Sequence, residues 1–84
     1  MIIFPNIDAA ATGKNIYRLR KQCGYTVREL QHRLNLGTAQ AVYKWQTGTT
    51  LPSIDNLIAL AWLFGVTIEQ LLVCTKPAIM PAAA

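Results

Sequence analysis

Residues Thr26 to Gly48, TVRELQHRLNLGTAQAVYKWQTG, admit few folds. Thr26 is a good N-cap, and Leu30 and Leu34 behind it share one helical face. Asn35-Leu36-Gly37 then interrupts the pattern with the two residue types that enter the left-handed conformation most easily. Thr38 offers a second N-cap, Val42 and Trp45 point inward three residues apart, and Gly48 supplies a stop. The spacing therefore predicts two short helices across a tight turn. Ala39, Gln40, Tyr43, Lys44 and Thr47 lie on the outward side of the second.

That arrangement is a helix-turn-helix pattern, and the charge follows it. The chain of 84 residues carries a net +4. Between Thr12 and Gly48, Lys14, Arg18, Arg20, Lys21, Arg28, Arg33 and Lys44 face the single acid Glu29, a local net of +6. From Thr49 onward Lys76 faces Asp55 and Glu69, a net of −1. The first half is thus the side suited to a polyanion. A single domain is expected, and so short a chain buries only about 60% of its unfolded surface, which calls for an efficient core.

The flanking segments extend the helical reading. Ile2, Ile3, Phe4 and Ile7 are too apolar for a fully solvated arm, so residues 1–11 are expected to lie partly against the domain or a partner chain. Gly13 argues against a helix running on from Asp8, so Thr12 is the expected cap of a first helix reaching about Gln22. Ile16, Leu19 and Cys23 form its inner stripe, Arg18, Lys21 and Gln22 face water or phosphate, and Gly24 ends it. Ser53 caps a fourth helix to Phe64 with Ile54, Leu57, Leu60, Ala61 and Phe64 inward, stopped by Gly65. Thr67-x-x-Gln70 is a capping box for a fifth, whose Ile68, Leu71 and Leu72 close the core. The result is an all-α, compact five-helix domain over residues 12–73, with a disordered tail expected over 74–84. Trp45, spaced from Val42, is read as core.

Several function classes are excluded. Cys23 and Cys74 lack metal-ligand spacing and read as free thiols, consistent with the cytoplasm. No secretory leader is apparent, and the apolar run Leu57–Phe64 is too short to span a membrane. Glu29-x-x-His32 resembles half of a carboxylate-bridged metal site, but such sites need a second copy and further carboxylates, and the chain holds one His and four acids. There is no glycine-rich phosphate loop and no nucleophile–base set. Nothing calls for enzyme chemistry, a metal or a cofactor.

Ile16-Tyr-Arg-Leu-Arg-Lys-Gln-Cys-Gly-Tyr-Thr, Gln40-Ala-Val-Tyr-Lys-Trp-Gln-Thr-Gly, Leu51-Pro-Ser-Ile-Asp-Asn-Leu and Phe64-Gly-Val-Thr-Ile-Glu-Gln-Leu-Leu carry a resemblance. In this order they are similar to the lambda-repressor-like helix-turn-helix family, which includes phage repressors, Cro and many small bacterial regulators. The resemblance covers Thr12 to Leu72. It departs from the pattern in a turn one residue longer at Gly37, in Asn35 where the family prefers glycine, and in Gln31 where it prefers a small residue.

The resemblance implies a small transcriptional regulator, a repressor, binding double-stranded DNA. Family members read the major groove with the N-terminal half of the third helix. Mapped here, the base-contacting residues are Thr38, Ala39, Gln40, Tyr43 and Thr47. Gln40 is the leading reader, because its amide can donate to and accept from adenine together. Phosphate contacts fall to Lys14, Arg18, Thr26, Val27, Arg28, Lys44 and Thr49, with the backbone N–H groups opening the second helix taking a phosphate oxygen. Ile58, Trp62 and Leu63 fall off the inner stripe of the fourth helix where the family often carries polar residues. With Leu72 and Val73 they are expected to form the interface of a homodimer, which would set two reading helices about 34 Å apart on a palindromic site. The alternative is an antitoxin-like or adaptor module that binds another protein through the same patch. RNA binding ranks third, since single-strand stacking platforms are lacking unless Tyr43 serves as one.

Overall fold

A computed structural model describes residues 6–75. Five helices follow one another: α1 (Ala9–Cys23), α2 (Val27–Arg33), α3 (Gln40–Thr47), α4 (Ile54–Phe64) and α5 (Ile68–Leu71). Their starts follow from side-chain oxygens. Thr26, Ser53 and Thr67 accept from the backbone N–H groups of Glu29, Asn56 and Gln70, and both threonines complete a reciprocal capping box. The stop of α2 is equally explicit. Asn35, at φ 53°, is the one non-glycine residue with positive φ among those described. Its N–H reaches the His32 carbonyl at 3.1 Å, and the Leu36 N–H reaches that of Gln31 at 2.9 Å. This is the paired bonding of a Schellman stop, with asparagine in the usual glycine place.

The first helix begins earlier than expected. Asp8 is its cap, accepting from the Ala11 N–H at 3.0 Å, and Ala9, Ala10 and Ala11 are helical rather than part of an arm. Gly13 does not break the helix; it is buried where α1 meets α3. Thr12 is fully buried instead of capping, and its hydroxyl ties to the Val73 backbone. The tail boundary moves as well. Ile7 and Cys74 form an antiparallel bridge, Asp8 donates to Val73 at 2.7 Å and Thr75 donates to Asn6 at 2.7 Å, so Cys74 and Thr75 are paired. Residues 1–5 and 76–84 lie outside the described residues.

Ile16, Leu19, Leu30, Val42, Trp45, Leu57, Leu60, Ala61, Phe64 and Leu71 form one core drawn from all five helices. Trp45 is inside it, at 5% exposure. Three inward assignments fail. Ile54 and Ile68 are exposed, and Cys23 is exposed with only a long contact from its thiol to the Phe64 carbonyl. Each lies on the first or last residue of its helix, where the stripe has passed the edge of the core. Leu72 packs against the core as expected.

One charged group is buried among the described residues. Arg20 is buried; its Nε donates to Gln46 Oε1 at 2.9 Å and its Nη1 to the Tyr25 carbonyl at 2.8 Å. The guanidinium lies 5.3 Å from the Tyr17 ring centre. It therefore ties the end of α1 to α3 and to the loop before α2, with neutral acceptors in both bonds. Arg20→Met, which keeps the bulk but orphans both acceptors, is expected to lower stability by about 1–3 kcal/mol in urea denaturation. Gln46→Glu, which gives the guanidinium an ionised acceptor in the first bond, is expected to act in the opposite direction.

Candidate nucleic-acid interface

α3 is anchored at its C-terminal end and open at its N-terminal end. Gly48, at φ 77°, ends it against the backbone of Ala9 and Ala10, and Gly13 receives the carbonyls of Trp45 and Gln46. At the other end no side chain caps the helix. Thr38 does not accept from the first turn as the sequence predicts, and Ala39 already has helical φ and ψ. The turn from Leu34 to Ala39 thus feeds directly into the first turn of α3.

Val42 and Trp45 face the core, which sets the rest of the helix by its period. Thr38, Gln40, Tyr43, Lys44 and Thr47 are exposed, and Ala39 is half-buried. Thr47 is partly engaged, since its hydroxyl donates to the Lys44 carbonyl at 3.2 Å and lies 2.9 Å from that of Thr49. Gln40 and Tyr43 are three apart on the open half, so their side chains rise from one face.

Tyr43 also forms one wall of an open cleft of about 590 Å³. The opposite wall is the end of α1 and the start of α2, with Lys21, Thr26, Val27 and Arg28. Thr26 and Arg28 are exposed, and the Val27 side chain packs on the core, which leaves its backbone N–H as its contribution. Within the capping box Thr26 Oγ1 takes the Glu29 N–H, so the N–H groups of Val27 and Arg28 have no acceptor inside the helix. Such N–H groups beside a cation suit a phosphate oxygen. Glu29 reaches back to the Thr26 N–H at 3.4 Å, so the carboxylate of the Glu29-x-x-His32 pattern serves as a cap, and no group of acids, His and Cys among the described residues is placed to hold a metal.

The predicted phosphate contacts divide in two. Lys14, exposed, lies on the same side of α1 as Tyr17 and Lys21, at i, i+3 and i+7, and this side adjoins the α3 contact. Arg18 lies elsewhere. Its guanidinium is hydrogen-bonded to Asn15 and Gln22 on its own helix, and Asn15 donates to the Gln70 and Leu71 carbonyls of α5. Arg18 is therefore on the α5 side, apart from the cleft. Lys21, whose ammonium lies 5.8 Å from the Tyr17 ring centre, takes a place beside the cleft that the sequence pattern left between water and phosphate. Lys44 and Thr49 are exposed at the far end of α3.

The predicted interface residues also divide. Ile58 and Trp62 are exposed, Leu63 is half-buried, and Leu72 packs on the core. Val73 is half-buried, and its backbone is bonded to Asp8 and Thr12.

A family model described as helix-turn-helix matches residues 16–71. Among solved structures, the restriction-modification controller protein C.AhdI from Aeromonas hydrophila is 22% identical, with a TM-score of 0.68, covering 76% of this chain and 96% of its own. The DNA-binding domain of BldD is 23% identical, with a TM-score of 0.64, covering 77% of this chain and 93% of its own. At these identities the structures speak for the fold. No curated protein sequence matches the chain.

Proposed function

Because the chain belongs to the lambda-repressor-like helix-turn-helix family, we propose that it is a DNA-binding transcriptional regulator that reads base edges with the open half of α3. The observation that carries this reading is the cleft itself. It puts Tyr43, one turn from Gln40, opposite the cations Lys21 and Arg28 and the free N–H groups of α2. A duplex lying across it would meet base readers and phosphate holders at once. Gln40 is assigned to base reading, with Thr38, Ala39, Tyr43 and Thr47 around it. Lys14, Lys21, Thr26, Val27, Arg28, Lys44 and Thr49 are assigned to the backbone. The regulator acts in the cytoplasm as a homodimer on an inverted repeat, repressing by occupying its operator.

Selection from a random duplex pool at near-physiological salt, followed by salt titration on the enriched sequence, tests this. An inverted repeat should emerge, with binding that weakens steeply as salt rises. Gln40→Ala should lose about 1–3 kcal/mol on the selected site and little on unrelated DNA. Arg28→Ala should weaken binding to every sequence alike and flatten the salt dependence by about one unit of slope. Binding that merely tracks charge, with nothing enriched, overturns the operator reading.

A further inference from the structure

Resting on the homodimer reading above, we propose that two copies pair through α4, flanked by the end of α2, antiparallel, with the two-fold axis passing over Ile58. Ile54, Ile58 and Trp62 are 74%, 50% and 84% exposed, whereas Leu57, Leu60, Ala61 and Phe64 of the same helix are buried. The exposed three recur every fourth residue, so they form one stripe about 12 Å long, with Ile58 at its midpoint. A stripe symmetric about its centre is self-complementary: turned over, Ile54 meets Trp62 of the partner subunit and Ile58 meets its own copy.

Charge selects the antiparallel sense. Asp55 lies in the first turn of α4. Arg33 stands at the other end, because its guanidinium lies 5.3 Å from the centre of the Tyr25 ring, which is 6.3 Å from the ring of Phe64, the last residue of α4. Both charges line the shallow apolar groove beside the stripe, together with Leu34, Ala59 and Leu63. Antiparallel pairing brings Asp55 over Arg33 of the partner subunit, twice about the axis. Parallel pairing would oppose like charges. The interface thus shifts from α4 with α5 to α4 with the end of α2, and Leu72 and Val73, engaged with the core and with Thr12, lie outside it.

The register makes a test that needs no DNA, so its failure is separate from that of operator binding. In a background with Cys23 and Cys74 replaced by serine, Ile58→Cys should form a covalent dimer on mild oxidation, because a residue on the axis faces itself. Ile54→Cys should cross-link poorly. In analytical ultracentrifugation Trp62→Ser should raise the dimer dissociation constant at least tenfold while the fold, read by circular dichroism, is unchanged. Asp55→Arg and Arg33→Asp should each weaken the dimer, and the two together should restore it. A monomer at tens of micromolar overturns the proposal. So does a dimer that cross-links equally from positions 54 and 58, or one indifferent to the charge exchange.

Discussion

Trp45→Ala is expected to destabilise the domain by about 3–5 kcal/mol in chemical denaturation. Trp45 is 5% exposed and shares the core with Val42 of its own helix and with residues of α1, α2, α4 and α5. Its removal leaves a cavity at the contact that fixes α3, and a domain of this size has about 5–10 kcal/mol in all. The transition midpoint should therefore fall far, with part of the population unfolded at ambient temperature. DNA binding should weaken with it, although no atom of Trp45 is assigned to DNA, because α3 owes its orientation to this side chain. Trp45→Phe should retain most of both properties. A Trp45→Ala variant melting within a few degrees of the native protein would show that the indole is not a core group.

Most of the helical frame was readable in the residues, because helix ends are local chemistry. Thr26, Ser53 and Thr67 cap the helices expected of them, Thr67 through the capping box with Gln70, and Asn35 takes the left-handed conformation expected of the interhelical turn. The start of α1 departs from the local pattern because Gly13 carries two meanings. Locally glycine weakens a helix; in the folded chain its missing side chain admits another backbone, and only the tertiary contact tells the two apart. Ile54 departs from its expected place for a different reason. The spacing sets Ile58 and Trp62 off the inner stripe of Leu57, Leu60, Ala61 and Phe64, but at the first residue of so apolar a helix it does not place Ile54, which lies with the exposed two.

The candidate site shows the same division. The outward face of α3 followed from the inward spacing of Val42 and Trp45. The cleft between Tyr43 and the start of α2 did not, since it depends on how α1, α2 and α3 cross. Lys21 and Arg20 are adjacent cations on α1 that both border the cleft, yet Lys21 is exposed there while Arg20 is buried on Gln46 and the Tyr25 carbonyl. A helix turns by about 100° per residue, and that step alone separates them.

Gly13→Ala is the second large effect, and its sign is the informative part. Alanine is favoured over glycine inside a helix by about 0.5–1 kcal/mol, so local propensity predicts a more stable protein. The packing predicts the reverse. A Cβ at position 13 would stand 2.2 Å from the Trp45 carbonyl oxygen and 2.7 Å from that of Gln46. Both are backbone atoms, so no side chain can rotate away, and α3 itself must move off α1. Overpacking of this kind costs about 1–3 kcal/mol, and more where the backbone must yield. A net loss of about 2–3 kcal/mol is expected, seen in urea as a lower midpoint at unchanged slope. Since the same contact anchors the C-terminal end of α3, the displaced helix should also read its selected DNA site less well than its folded fraction accounts for. An alanine variant as stable as the native protein, or more so, would mean that α1 and α3 separate freely. The close approach would then not be what holds α3 in place.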